Sequence, residues 1–102
     1  MCIRDSLKGK GAIYRVMGNA YHAVKDLSAA LSYLEQSITL LRELNQDFDL
    51  GTALYDYALV LKDASKSKEA RAALTEALAL FKRLELPQEQ ERLRAALEQL
   101  ET

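Results

Sequence analysis

The strongest constraint on this chain is a pattern that returns after 40 residues. Tyr14, Met17, Gly18, Tyr21, Ala30 and Leu34 are answered, each 40 positions on, by Leu54, Tyr57, Ala58, Leu61, Ala70 and Leu74. Gly11 and Gly51 stand at the same interval. Within each copy the apolar residues recur in steps of three and four, which places them on one face of a helix. A unit of this size cannot bury its apolar face alone and does so by stacking on its neighbours. The pattern therefore predicts an all-α chain of tandem antiparallel helical hairpins, an α-solenoid, with a capping helix at its C-terminal end.

Four segments follow: a lead at 1–10, repeats at 11–45 and 46–86, and the capping helix at 87–102. Residues 1–6 match nothing in the repeat and read as an expression or assembly scar, and residues 7–11 as a flexible lead. A first helix is predicted over about 11–24, apolar at Ile13, Tyr14, Met17, Tyr21 and Val24 and widened by Val16 and Ala20. That breadth calls for neighbours on more than one side. Gly18, in mid-helix, costs about 1 kcal/mol relative to alanine, so another backbone is expected to approach it closely.

Asp26 is placed to cap a second helix over about 27–44, whose seam is Leu27, Leu31, Leu34, Ile38 and Leu41. A third helix follows the acids near Asp49 and runs to about Ala64, and Ser67 reads as the cap of a fourth over about 68–85. Pro87 ends that helix and opens the last. In the last helix Leu93, Ala96, Leu97 and Leu100 form a single apolar side, suited to closing an array.

A helical hairpin with a large residue, Leu-Gly or its equivalent, an aromatic, and a small residue nine further on resembles a tetratricopeptide repeat. The first copy reads Tyr14, Met17-Gly18, Tyr21, Ala30, Leu34 and Ser37, and the second Leu54, Tyr57-Ala58, Leu61, Ala70, Leu74 and Ala77. The chain departs from the usual 34-residue period and resembles the longer form of about 40 residues. The first copy also lacks the proline that commonly follows the second helix. Two copies are fewer than such arrays usually need, so the resemblance implies the C-terminal end of a longer array.

The resemblance further implies a scaffold that binds a protein or peptide in a concave groove lined by the first helix of each repeat. Carried over by position, that groove takes Ala12, Arg15, Asn19, His22 and Ala23 from the first copy and Thr52, Tyr55, Leu59, Lys62 and Asp63 from the second. Arg15 and Asn19 look like part of the clamp by which some members grip a peptide's terminal carboxylate. Charge-assisted bonds from Arg15 would suit such a ligand. Asp56, however, stands at the next clamp position, where asparagine is expected. The two residues otherwise read as ordinary solvated side chains. An alternative reading makes the chain a terminal lid or a homodimer contact that docks through the exposed face of its first helix onto an upstream repeat or a second copy.

Other classes of function find little support. The net charge is −1 and the lysines and arginines are dispersed apart from Lys62, Lys66 and Lys68, so neither nucleic acid nor an anionic membrane is selected. One cysteine, Cys2, and one histidine, His22, leave no metal-ligand set and no nucleophile–base pair, so neither a catalytic residue nor a cofactor is expected. Gly9-Lys10-Gly11 lacks the longer frame of a phosphate-binding loop. No apolar run approaches the roughly 20 residues of a membrane span, and a cytoplasmic location is expected.

Overall fold

The computed structural model describes residues 3–101. Five helices fill that range: α1 (Ile3–Ala23), α2 (Leu27–Glu43), α3 (Asp47–Asp63), α4 (Ser67–Arg83) and α5 (Pro87–Glu101). The described residues contain no strand. Each helix packs on its predecessor, and α1 also meets α3. Three-residue connections turn the chain back each time, which makes the architecture a helical solenoid.

The connections share one backbone path. Lys25, Asn45, Ser65 and Glu85 adopt left-handed φ values of 68°, 55°, 64° and 58°, so the conformation recurs at every twentieth residue. At the first, the Lys25 amide donates to the His22 carbonyl at 3.0 Å and the Asp26 amide to the Tyr21 carbonyl at 2.9 Å. Equivalent pairs close the other three junctions. This double bond back into the last turn satisfies carbonyls that a helix end would otherwise leave open. None of the four residues is glycine, the type that adopts this conformation at least cost.

Local expectations fared unevenly. Asp26 does cap α2, its Oδ1 accepting from the Ala29 amide at 3.3 Å. Asp47 and Asp49 lie in the first turn of α3, at the positive end of the helix dipole, and Pro87 opens α5. Ser67 is not a cap: Lys66 holds that position without a side-chain bond, and Ser67 is the first residue inside α4. The reason is the left-handed Ser65, which places the cap one residue earlier than the serine pattern suggests. The flexible lead is also corrected, because α1 begins at Ile3 and runs unbroken through Gly9 and Gly11. No proline interrupts that segment, and helix propagation across a glycine costs only about 1 kcal/mol. Of the expected scar, Met1 and Cys2 lie outside the described residues.

Leu34, Leu41, Leu61, Leu74 and Leu93 are almost fully buried. The main cluster joins α2, α3, α4 and α5, while a smaller one formed by Ala30, Leu34 and Val60 draws in Tyr21 and Tyr57 and links α1 to α3. Of the residues read as repeat packing, Gly18, Ala30, Leu34, Leu54, Ala58, Leu61, Ala70 and Leu74 are buried, and Tyr14, Met17, Tyr21 and Tyr57 are half-buried. A Cβ on Gly18 would stand 2.6 Å from Leu34 Cγ and 3.2 Å from the Ala30 carbonyl oxygen, which accounts for glycine in mid-helix. Ala58, its counterpart in the second copy, is buried as deeply. Ala58→Leu is therefore expected to cost about 1–3 kcal/mol by overpacking, read as a lower midpoint in urea denaturation. An unchanged midpoint would contradict the register.

Candidate functional site

The site is a face shared by α1, α3 and α5, knitted together by polar pairs. On α1, Arg15 and Asn19 lie four residues apart and project from consecutive turns toward α3. Arg15 Nη1 and Asn19 Nδ2 both donate to Asp56 Oδ2, each at 3.0 Å. Two turns along α1, His22 Nε2 meets Asp63 Oδ2 at 2.6 Å. On the other side of α3, Lys62 Nζ donates to Gln99 Oε1 at 3.3 Å, and the Arg92 guanidinium lies 6.0 Å from the centre of the Tyr55 ring.

The structure thus gathers Arg15, Asn19 and His22 with residues of α3, and Tyr55 and Lys62 with residues of α5. Leu59 lies half-buried on the same helix as Tyr55 and Lys62. Ala12 and Ala23 are exposed, Thr52 is half-buried, and Asp63 is exposed beyond its bond to His22. Asp56, which stands where the clamp would have asparagine, is itself the carboxylate that Arg15 and Asn19 hold. An anion competing for those donors would have to displace a half-buried aspartate already neutralised by arginine.

The bond from His22 holds the Asp63 carboxyl below the usual carboxylate range, against a smaller opposing push from burial; His22, Lys25 and Lys62 add weaker charge attraction. Because the folded value is the lower one, this interaction stabilises the fold above the unfolded value of 3.8 and is lost as pH falls through the folded value. Asp63→Asn should therefore lower the denaturation midpoint slightly at neutral pH and match the wild type well below pH 3.8. A constant difference across that range would show that the carboxylate charge is not what matters. The pair is exposed enough for the effect to be small.

Sequence reasoning missed several partners. Tyr33 stacks on Tyr21 with ring centres 5.4 Å apart and tilts against Tyr14 at 6.2 Å. Ser37, fully buried, donates to the Gly11 carbonyl at 2.7 Å. Arg92 and Gln99, on the capping helix, are two further partners that the apolar spacing does not mark. Applying the 40-residue shift to α5 would have found them, since it superposes Arg92 on Thr52 and Gln99 on Leu59, both groove positions.

A separate open groove of about 390 Å³ runs between α2 and α4 over Ile38, Leu54 and Ala73. At this groove, burial first, then the charges of Glu35 and Glu69, push the Tyr57 hydroxyl up. No helix among the described residues is long and apolar enough to cross a membrane.

No curated protein sequence matches the chain. The sequence profile of the tetratricopeptide repeat does match, over residues 9–83. That span runs from within α1 to the end of α4 and covers nearly all of both copies of the internal repeat. Family members serve generally as protein-interaction modules rather than catalysts. Periodicity, stacked hairpins and profile agree, and the chain belongs to the tetratricopeptide repeat family.

Proposed function

We propose that this chain is a non-enzymatic, cytoplasmic protein-interaction module that takes a peptide or protein segment along the face formed by α1, α3 and α5. The carrying observation is that Tyr55, Leu59 and Lys62 of α3 stay accessible between two flanking helices whose side chains reach toward them. Rigid aromatic and cationic side chains beside an apolar one are what peptide-binding surfaces concentrate. The terminal-carboxylate clamp is the less favoured version of this function, because Asp56 occupies its donors.

Titrating display-selected peptides with free and with amidated C-termini tests both points. Binding that Leu59→Asp abolishes while helicity is kept supports the groove, and equal affinity of the two peptide forms rules out the clamp. No binding to α1, α3 or α5 would refute the reading.

A second reading, the terminal lid or homodimer contact, is favoured by Ile13 and Val16, which stand 58% and 59% exposed on α1. By the 40-residue shift Ile13 corresponds to Ala53, which is wholly buried between α3 and its neighbours. Sedimentation separates the two: a monomer that binds peptide supports the groove, and a concentration-dependent dimer that Ile13→Glu disrupts supports docking.

A further inference from the structure

The two repeats follow one packing plan, so the places where their surfaces differ bear on what the surface is for. One such difference lies where the first turns of α3 and α5 meet the last turn of α4. Here Phe48, Thr52, Tyr55, Phe81 and Leu93 line a partly open cavity of about 50 Å³, with Arg92 and Glu89 also at its wall. Shifted back by 40 residues, Phe48 becomes Lys8, Tyr55 becomes Arg15 and Phe81 becomes Leu41. The aromatic lining therefore belongs to the second repeat alone.

Phe48 is 50% exposed although it meets Phe81 edge-on at 5.8 Å. Gly51 gives that inner ring its place, since a Cβ there would come within 2.7 Å of Phe81 Cζ. A partly open, mainly apolar hollow beside a half-exposed ring is the form that anchor pockets take at interfaces. Tyr55 lines this cavity and is also one of the candidate groove residues.

Charge then sets the direction. Beyond the pocket, the α3–α5 side of the groove carries Arg92 over Tyr55 and, further along, Lys62 at Gln99. The nearby acid Asp63 is engaged by His22, and Glu89 lies on the pocket side of Arg92, a turn earlier in α5. Seven residues separate Tyr55 from Lys62, a rise of about 10 Å along the helix. An extended peptide covers that distance in about three residues.

We infer that this groove takes an extended acidic peptide whose single aliphatic side chain fills the Phe48–Phe81 pocket, with one carboxylate beside it on Arg92 and another three residues further along at Lys62. The inference rests on the groove reading above and specifies its ligand.

The test uses the full chain, labelled with nitrogen-15, and blocked serine-glycine peptides. In one, leucine is followed by glutamate at the first and fourth positions after it; a second has the reversed sequence. Controls replace leucine by alanine, or both glutamates by glutamine. The expected result is that one of the two orientations shifts the amide signals of Phe48, Thr52, Tyr55 and Arg92. The alanine control should bind about tenfold more weakly, as should the leucine peptide to Phe48→Ala. Thr52→Leu, which fills the cavity from α3, should weaken the leucine peptide and leave the alanine control unchanged. Arg92→Gln should lower affinity for the acidic peptide and reduce its salt dependence. If leucine and alanine peptides bind the groove equally, or neither binds while display-selected peptides do, the pocket assignment is overturned and the groove reading stands. If neither set shifts the groove signals, both are overturned.

Discussion

Removing residues 88–102 is expected to leave a chain that aggregates. Leu93 of α5 is almost fully buried, and Ala96, Leu97 and Leu100 pack against the same cluster as Leu74, Leu80 and Phe81. Burying one leucine is worth about 1.5–3 kcal/mol, and a small domain is stable by only about 5–15 kcal/mol in total. Losing Leu93 and its three neighbours removes a sizeable part of that margin and leaves Phe81 and Leu74 open to water. Light scattering and binding of a hydrophobic dye should both rise, with helicity falling. A truncated product that stays monomeric and fully helical would show that α5 does not close the array.

The second large effect is expected at Leu34. Its side chain is wholly buried among Ala30, Val60 and Tyr21 and lies directly over Gly18. Leu34→Ala should cost about 3 kcal/mol, within the 2–5 kcal/mol usual for such deletions, and should lower the urea midpoint accordingly. Gly18→Ala in the native background should also destabilise, since the added methyl meets Leu34 Cγ. In the Leu34→Ala background the same methyl enters vacated space, and alanine is the better helix former. The two substitutions should therefore be strongly non-additive, with Gly18→Ala neutral or favourable in the double variant. Simple additivity would place the two residues apart.

Much of the fold was legible because the features that carry it are periodic. Helix positions, hairpin order and the small residues at Gly18, Ala30, Ala58 and Ala70 all follow from steps of three and four and from the 40-residue shift. What escaped depends on conditions that spacing does not express. The start of α1 lies upstream of its apolar stripe, and nothing in that stripe expresses that Gly11 is buried beneath Leu41. The fourth cap was misplaced because a left-handed Ser65 shifts the cap by one residue, and nothing in Ser-Lys-Ser-Lys marks which serine turns the chain.

The candidate site was half legible for a related reason. Groove residues could be placed on helices, but their partners lie on other helices, and the pairing depends on how those helices slide past one another. Arg15 and Asn19 thus read as part of a clamp or as solvated side chains, and neither reading names their intramolecular acceptor, Asp56.

The four left-handed residues, one at each bend, make the joints of this protein congruent. A segment cut just after one of them and rejoined just after another meets the backbone path it left. Duplicating residues 26–65, for example, would join Ser65 to Asp26, a left-handed residue to a proven cap, and would add one whole hairpin with no new loop to invent. The reach of the array is thus set by how many hairpins are joined, and the bends need no change when one is added.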